Sequence, residues 1–135
     1  MTKVDTAKIW SLNYRLMMSV ITGVTAEIEA LGLDSKALFL LAAVDDHPHP
    51  AALAQVLSMP KPTVTAFVKR LEQGGFLRRE IDADDLRRHR LTVTAAGRKV
   101  LARGLAILSD AYGERLARLG AAEQAQLAAL LEKMV

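Results

Sequence analysis

Apolar side chains at Ile9, Leu12, Leu16, Val20, Val24, Ile28 and Leu31 recur every three or four positions, the period of one helix face. The stripe predicts a long first helix that opens near Asp5 or Thr6, both good caps, and stops at Gly32. A solitary helix of that length must lay its stripe on something. Asp34 or Ser35 caps a second helix through Leu38, Leu41 and Val44, and the run Asp45-Asp46-His47-Pro48-His49-Pro50 breaks it. Pro50 suits the first turn of a short third helix, Ala51 to Leu57, where its missing N–H would have no partner anyway. After the turn Ser58-Met59-Pro60, a fourth helix buries Val64, Phe67, Val68 and Leu71, tolerates Pro62 in its first turn, and ends at Gly74-Gly75. Two helices joined so tightly form a helix-turn-helix.

The period then changes. Phe76 to Ile81 and Arg90 to Thr94 read as two short strands, with Leu91 and Val93 facing one side and Arg90 and Thr92 the other. Their connection, Asp82 to His89, is longer than a usual hairpin loop, and long exposed loops tend to carry function. This is a β-wing. A long helix follows from Thr94 or Ala95 through Leu101, Leu105, Leu108, Tyr112, Leu116 and Leu119, weakened by Gly97, Gly104 and Gly113. Beyond Gly120 a last helix carries Leu127, Leu130, Leu131 and Met134.

Composition narrows the chemistry. The 135 residues match one domain, and an apolar share of 51% supplies a core. Cysteine is absent, which excludes disulfides, thiolate metal sites and thiol redox sensing, and fits the cytoplasm. No signal-peptide block opens the chain, and the longest apolar run, Ala37 to Val44, is too short to cross a bilayer. A cytoplasmic protein with no membrane partner is expected. The net charge of +3 says little, but its distribution says more. Between Pro60 and Arg103 eleven cations face five acids, whereas seven face ten in the rest of the chain. A basic middle between mildly acidic ends marks a localised polyanion-binding face.

Two blocks carry a family resemblance. One is Leu53-Ala54-Gln55-Val56-Leu57-Ser58-Met59-Pro60-Lys61-Pro62-Thr63-Val64-Thr65, continuing without a gap to Leu77. The other holds Asp85-x-Arg87 followed by Val93-Thr94-x-x-Gly97. In this order the chain resembles the MarR family of winged helix-turn-helix transcription regulators over almost its whole length. It departs at Ala66 and Leu86, where family members often have basic residues, and conservatively at Val93.

The resemblance implies one MarR-like domain over 1–135, mainly α with a small β-wing. Residues 33–98 would form the winged DNA-binding lobe, and 5–32 with 99–135 the helical dimerisation region. It also implies a homodimer on a pseudo-palindromic double-stranded operator, and a repressor released by a small, often anionic aromatic effector.

The residues supply the contacts. With Val64, Val68 and Leu71 inward, the free face of the fourth helix presents Lys61, Thr63, Thr65, Ala66, Lys69 and Arg70 to the major groove. In the wing, Arg87 would enter the minor groove, oriented by Asp85, while Arg88 and Arg90 contact phosphates. Trp10, Asn13, Tyr14 and Arg15, with Met17 or Met18, could line an effector pocket; ordinary helix packing accounts for them equally well.

His47 and His49 beside Asp45 and Asp46 lie on a proline-broken loop whose spacing defines no metal site. No metal or cofactor is expected. No Gly-rich phosphate loop, His-x-x-x-His pair or nucleophile elbow appears, so an enzyme is not expected. The stronger rival is a winged-helix protein-interaction module without DNA binding, since fold alone does not fix function.

Overall fold

A computed structural model describes residues 3–135. Its elements are α1 (Thr6–Glu29), α2 (Ser35–Ala43), α3 (Pro50–Val56), α4 (Lys61–Gln73), β1 (Leu77–Ile81), β2 (His89–Val93), α5 (Ala95–Leu116) and α6 (Ala121–Met134). The fold is mainly α with one antiparallel two-stranded wing, as the periodicity implies.

Element ends have local causes. Asp5 accepts the Lys8 N–H at 3.0 Å and Asp34 that of Ala37 at 2.8 Å, so both expected carboxylate caps form. α1 closes at Glu29, short of Gly32, because the N–H groups of Leu31 and Gly32 turn back three residues to Ile28 and Glu29. β1 starts one residue later than expected: the Phe76 N–H closes onto the Leu71 carbonyl at 2.9 Å, behind Gly75 at φ +80°. β2 gives up Thr94, whose hydroxyl donates to the Gly75 carbonyl at 2.5 Å and accepts the Gly97 N–H at 3.0 Å. α5 ends at Leu116 rather than Leu119, since the Gln124 amide donates to the carbonyls of both, at 2.9 and 3.1 Å.

The chain packs as two units. Residues 25–105 form one. Leu38, Leu40 and Leu41 of α2, Leu53 of α3 and Val64 and Val68 of α4 are at most 1% exposed and make its centre. Leu77, Leu91 and Val93 of the sheet are also buried. α3 and α4 are joined through Ser58, at φ 52°, and Met59, whose N–H bonds the Ala54 carbonyl at 3.0 Å. Arg79 of β1 pairs with Glu72 of α4 at 2.7 Å, and Arg98 of α5 forks onto Asp45 at 2.7 and 3.0 Å. By hydrogen bond first and charge second, Arg98 holds the Asp45 carboxyl below its ordinary range.

The second unit joins the chain up to Val24 with residues 106–135. Much of its apolar surface is bare: Ile9, Leu12 and Met17 of α1 and Leu130 and Leu131 of α6 are each at least 41% exposed. Along the α1 stripe Val20, Val24 and Ile28 are buried, whereas the first two turns bury nothing apolar. Patches of this kind on a helix face mark association surfaces.

Candidate nucleic-acid interface

The 25–105 unit presents two basic projections. In α4, Val64, Phe67, Val68 and Leu71 are buried. At about 100° per residue, the opposite face is centred on Pro62, Thr65, Ala66, Lys69 and Gln73. All five are exposed. Lys61 is exposed at the N-terminal end, where the helix dipole favours an anion. Pro60 and Pro62 cost nothing there, because the first turn of a helix leaves its N–H groups unpaired.

Two expected members sit on the flank. Thr63 is half-buried, and Arg70 lies 5.1 Å from the centre of the Phe67 ring with its guanidinium 3.0 Å from Asp34. Arg70 therefore ties α4 to the cap of α2 before it touches any ligand. Thr65 donates its hydroxyl to the Lys61 carbonyl at 3.0 Å, leaving its methyl and an oxygen lone pair outward. Pro62 and Gln73 complete the outward face and are absent from the expected set. A helical wheel centred on the buried quartet, Phe67 included, would have found them.

The wing is built on two aspartates. β1 and β2 pair from Leu77↔Val93 to Ile81↔His89, putting Arg90 opposite Glu80. Past Ile81 the chain folds over Asp82, whose side chain is 4% exposed. One Asp82 oxygen accepts the N–H groups of Asp84 at 2.7 Å and Asp85 at 3.3 Å, an Asx turn that shapes the loop. Asp85 repeats the device, accepting both the N–H and Nε–H of Arg87 at 3.0 and 3.2 Å. The Arg87 side chain is nevertheless 92% exposed, a cation held by its root and free at its tip. Arg88 reaches back to Asp82 at 3.3 Å, and Arg90 is exposed on β2.

The remaining candidates scatter. Met17 lines a small apolar cleft of about 210 Å³ with Val20, Ile21, Leu108 and Tyr112. Trp10 is 69% and Tyr14 54% exposed, their rings 6.3 Å apart, and Asn13 is exposed beside them. His49 and Asp45 do not converge: Asp45 is held by Arg98, and His49 turns to Asp82.

The chain matches a model described as the MarR family over residues 31–88. The transcriptional regulator HosA of Escherichia coli O127:H6 is 37% identical over 98 residues, covering 71% of this chain and 73% of that protein. The HTH-type transcriptional repressor Rv2887 of Mycobacterium tuberculosis is 29% identical over 132 residues, covering 96% and 95%. Among solved structures, an S. aureus MepR–DNA complex superposes with a TM-score of 0.76 over 98% of this chain and 97% of that one, at 20% identity.

Proposed function

The chain belongs to the MarR family, and from that premise we propose that it regulates transcription by binding one sequence class of double-stranded DNA as a homodimer. One observation carries the proposal. The same compact unit offers a helix with an outward Thr65-Ala66-Lys69 face and a wing tip with Arg87 fixed at its root and bare at its end. A helix fits the major groove and reads base edges there, and a guanidinium suits the narrow minor groove.

Residues 33–98 act as the DNA-binding lobe in this reading, and 5–32 with 99–135 as the dimerisation region. Lys61, Thr63, Thr65 and Ala66 face the major groove, with Lys69 and Arg70 at its edge, where they mostly meet phosphate. Arg87 enters the minor groove, Asp85 sets its direction, and Arg88 and Arg90 meet phosphate. The bare apolar residues of α1 and α6 support the dimer. Twofold symmetry calls for a pseudo-palindrome with half-sites about 10 bp apart or a near multiple. Occupying such a site blocks polymerase, hence a repressor. A small effector releases it by preferring one spacing of the two reading helices, and the cleft at Met17 supports a seat for it. No helix among the described residues is long and apolar enough to cross a membrane.

The rival, a protein-docking winged helix, would carry apolar anchors on the exposed α4 face. That face carries Thr65 and Lys69 instead. Selecting bound duplexes from a random pool tests the proposal. A single palindromic motif is expected, and a pool that stays random would overturn it. Affinity for the selected duplex should fall steeply with salt, by about 10³-fold or more between 50 and 200 mM if six or more phosphates are neutralised. A flat salt response would rule out a phosphate-gripping face.

A further inference from the structure

His49, the residue before α3, is held at both ring nitrogens. Nε2 lies 3.1 Å from an Asp82 carboxylate oxygen, and Nδ1 lies 3.1 Å from the backbone carbonyl of His89 at the start of β2. Next to it, the Leu91 N–H bonds the Pro48 carbonyl at 2.7 Å, so the loop before α3 runs along the wing strand. The histidine ties the wing to the start of α3.

Both partners of the ring are acceptors. A carbonyl has no proton to give. The Asp84 N–H foremost, against the cost of desolvation, then the Asp85 N–H and the charge of Arg88 hold the Asp82 carboxyl below its ordinary range. Neutral imidazole carries one N–H, so one of its two contacts would set lone pair against lone pair. The imidazolium donates to both.

We propose that His49 is a positioning residue for DNA binding, acting as the imidazolium to clamp the wing loop onto the start of α3 and so fix where Arg87 is presented. The proposal rests on the DNA-binding reading above. Among the described residues the charged groups around the ring are few. Asp82 faces it directly, and Arg88 faces Asp82 from the same loop at 3.3 Å. His89 lends its carbonyl while its own ring is exposed, and Asp84, Asp85 and Arg87 follow on the loop. On the His49 side, Asp45 is taken by Arg98, Asp46 and His47 precede it, and α3 has no ionisable side chain.

The sign follows. With an acceptor at each ring nitrogen, loss of one ring proton removes one of the two contacts. The Asp82 half, from a lowered carboxyl, is fully present above the ordinary carboxylate range and is lost as pH falls through the lowered value. The clamp closes only where imidazolium and carboxylate coexist.

The test uses the full chain, a duplex selected from the random pool, and fluorescence anisotropy at fixed salt. Affinity should fall about fivefold from roughly pH 6 to pH 8, the share of a charge-assisted hydrogen bond that reaches the wing. His49→Gln and Asp82→Asn should each flatten that slope, whereas His89→Gln should keep it, since only the backbone of that residue takes part. Nitrogen-15 spectra of the DNA-free protein should show both His49 ring nitrogens protonated at the lower pH. Protection of the amides of residues 84–88, measured against their base-catalysed intrinsic exchange at each pH, should fall as one proton leaves. A slope unchanged in His49→Gln, or a single protonated ring nitrogen at the lower pH, overturns the clamp. Should no duplex be retained under any condition, the DNA-binding reading falls, and the ring spectra with the exchange data still decide the clamp.

Discussion

Arg87→Ala should lower affinity for the selected duplex about tenfold or more while moving the melting temperature by no more than about 4 °C. The asymmetry follows from where the side chain sits. At 92% exposure it is almost bare, and among the described residues its ion-pair partner is the Asp85 carboxylate at 3.2 Å. An exposed pair of that kind contributes about 0–1 kcal/mol to folding. On DNA the same guanidinium meets concentrated negative potential, where one specific arginine contact is worth about 1–3 kcal/mol. Asp85→Ala should lose less: the cation stays, but its backbone N–H and Nε–H are no longer gathered on one oxygen, so the tip must be ordered on binding. Lys69→Ala is the useful contrast. Loss of a phosphate contact weakens all duplexes alike and lowers the salt slope by about one, whereas loss of Arg87 should also relax preference for a narrow A·T-rich groove. Anisotropy titrations on matched and scrambled duplexes separate the two. Equal affinity of Arg87→Ala and the parent protein would remove the wing from the interface.

What could be read from the chain divides by distance along it. The wing tip was legible because Asp85 and Arg87 are two residues apart, and so was the turn between α3 and α4, because Pro60 and Pro62 leave few conformations open. Arg70 read as one more DNA-facing cation for the same reason in reverse: its partner Asp34 lies 36 positions away and caps another helix. The organising role of Asp82 was hidden too. Within the sequence it is one of three acids in a loop, and only the fold places it in a 4%-exposed site between the loop N–H groups and His49. His49 read only as one residue of a proline-broken loop with no metal-site spacing, and its partners, Asp82 and the His89 carbonyl, lie 33 and 40 positions away. The proposed effector residues were the least legible: Trp10, Asn13 and Tyr14 are exposed, and in the proposed dimer what covers them would come from a second chain that no period or spacing describes.

Gly97→Ala should destabilise the protein and loosen the wing together. Its backbone passes so close to the root of the wing that an added Cβ would run into the Phe76 carbonyl oxygen, and would lie 2.9 Å from a Val93 methyl. That carbonyl is not free to move, since it accepts the Thr94 N–H at 3.1 Å, while the Thr94 hydroxyl bridges the Gly75 carbonyl and the Gly97 N–H. The requirement for glycine is therefore one of space, set where α5 begins against the chain entering β1, and it explains why the Val93-Thr94-x-x-Gly97 pattern stands where the wing ends. Forcing one methyl into a site walled by backbone costs about 1–3 kcal/mol, or roughly 4 °C of melting temperature per kcal/mol in a chain of this size. The substitution also improves helix propensity by up to about 1 kcal/mol, so the strain must exceed that for the loss to show. Gly113→Ala, in the same helix with nothing among the described residues within 4 Å of the new Cβ, isolates the propensity gain and should raise the melting temperature instead. Thermal melts of the two variants should move in opposite directions, and DNA affinity should drop only for Gly97→Ala, because only there does the wing root shift. Two variants that shift the same way would mean that the contact between α5 and Phe76 yields at little cost, and that something other than this approach holds the wing in place.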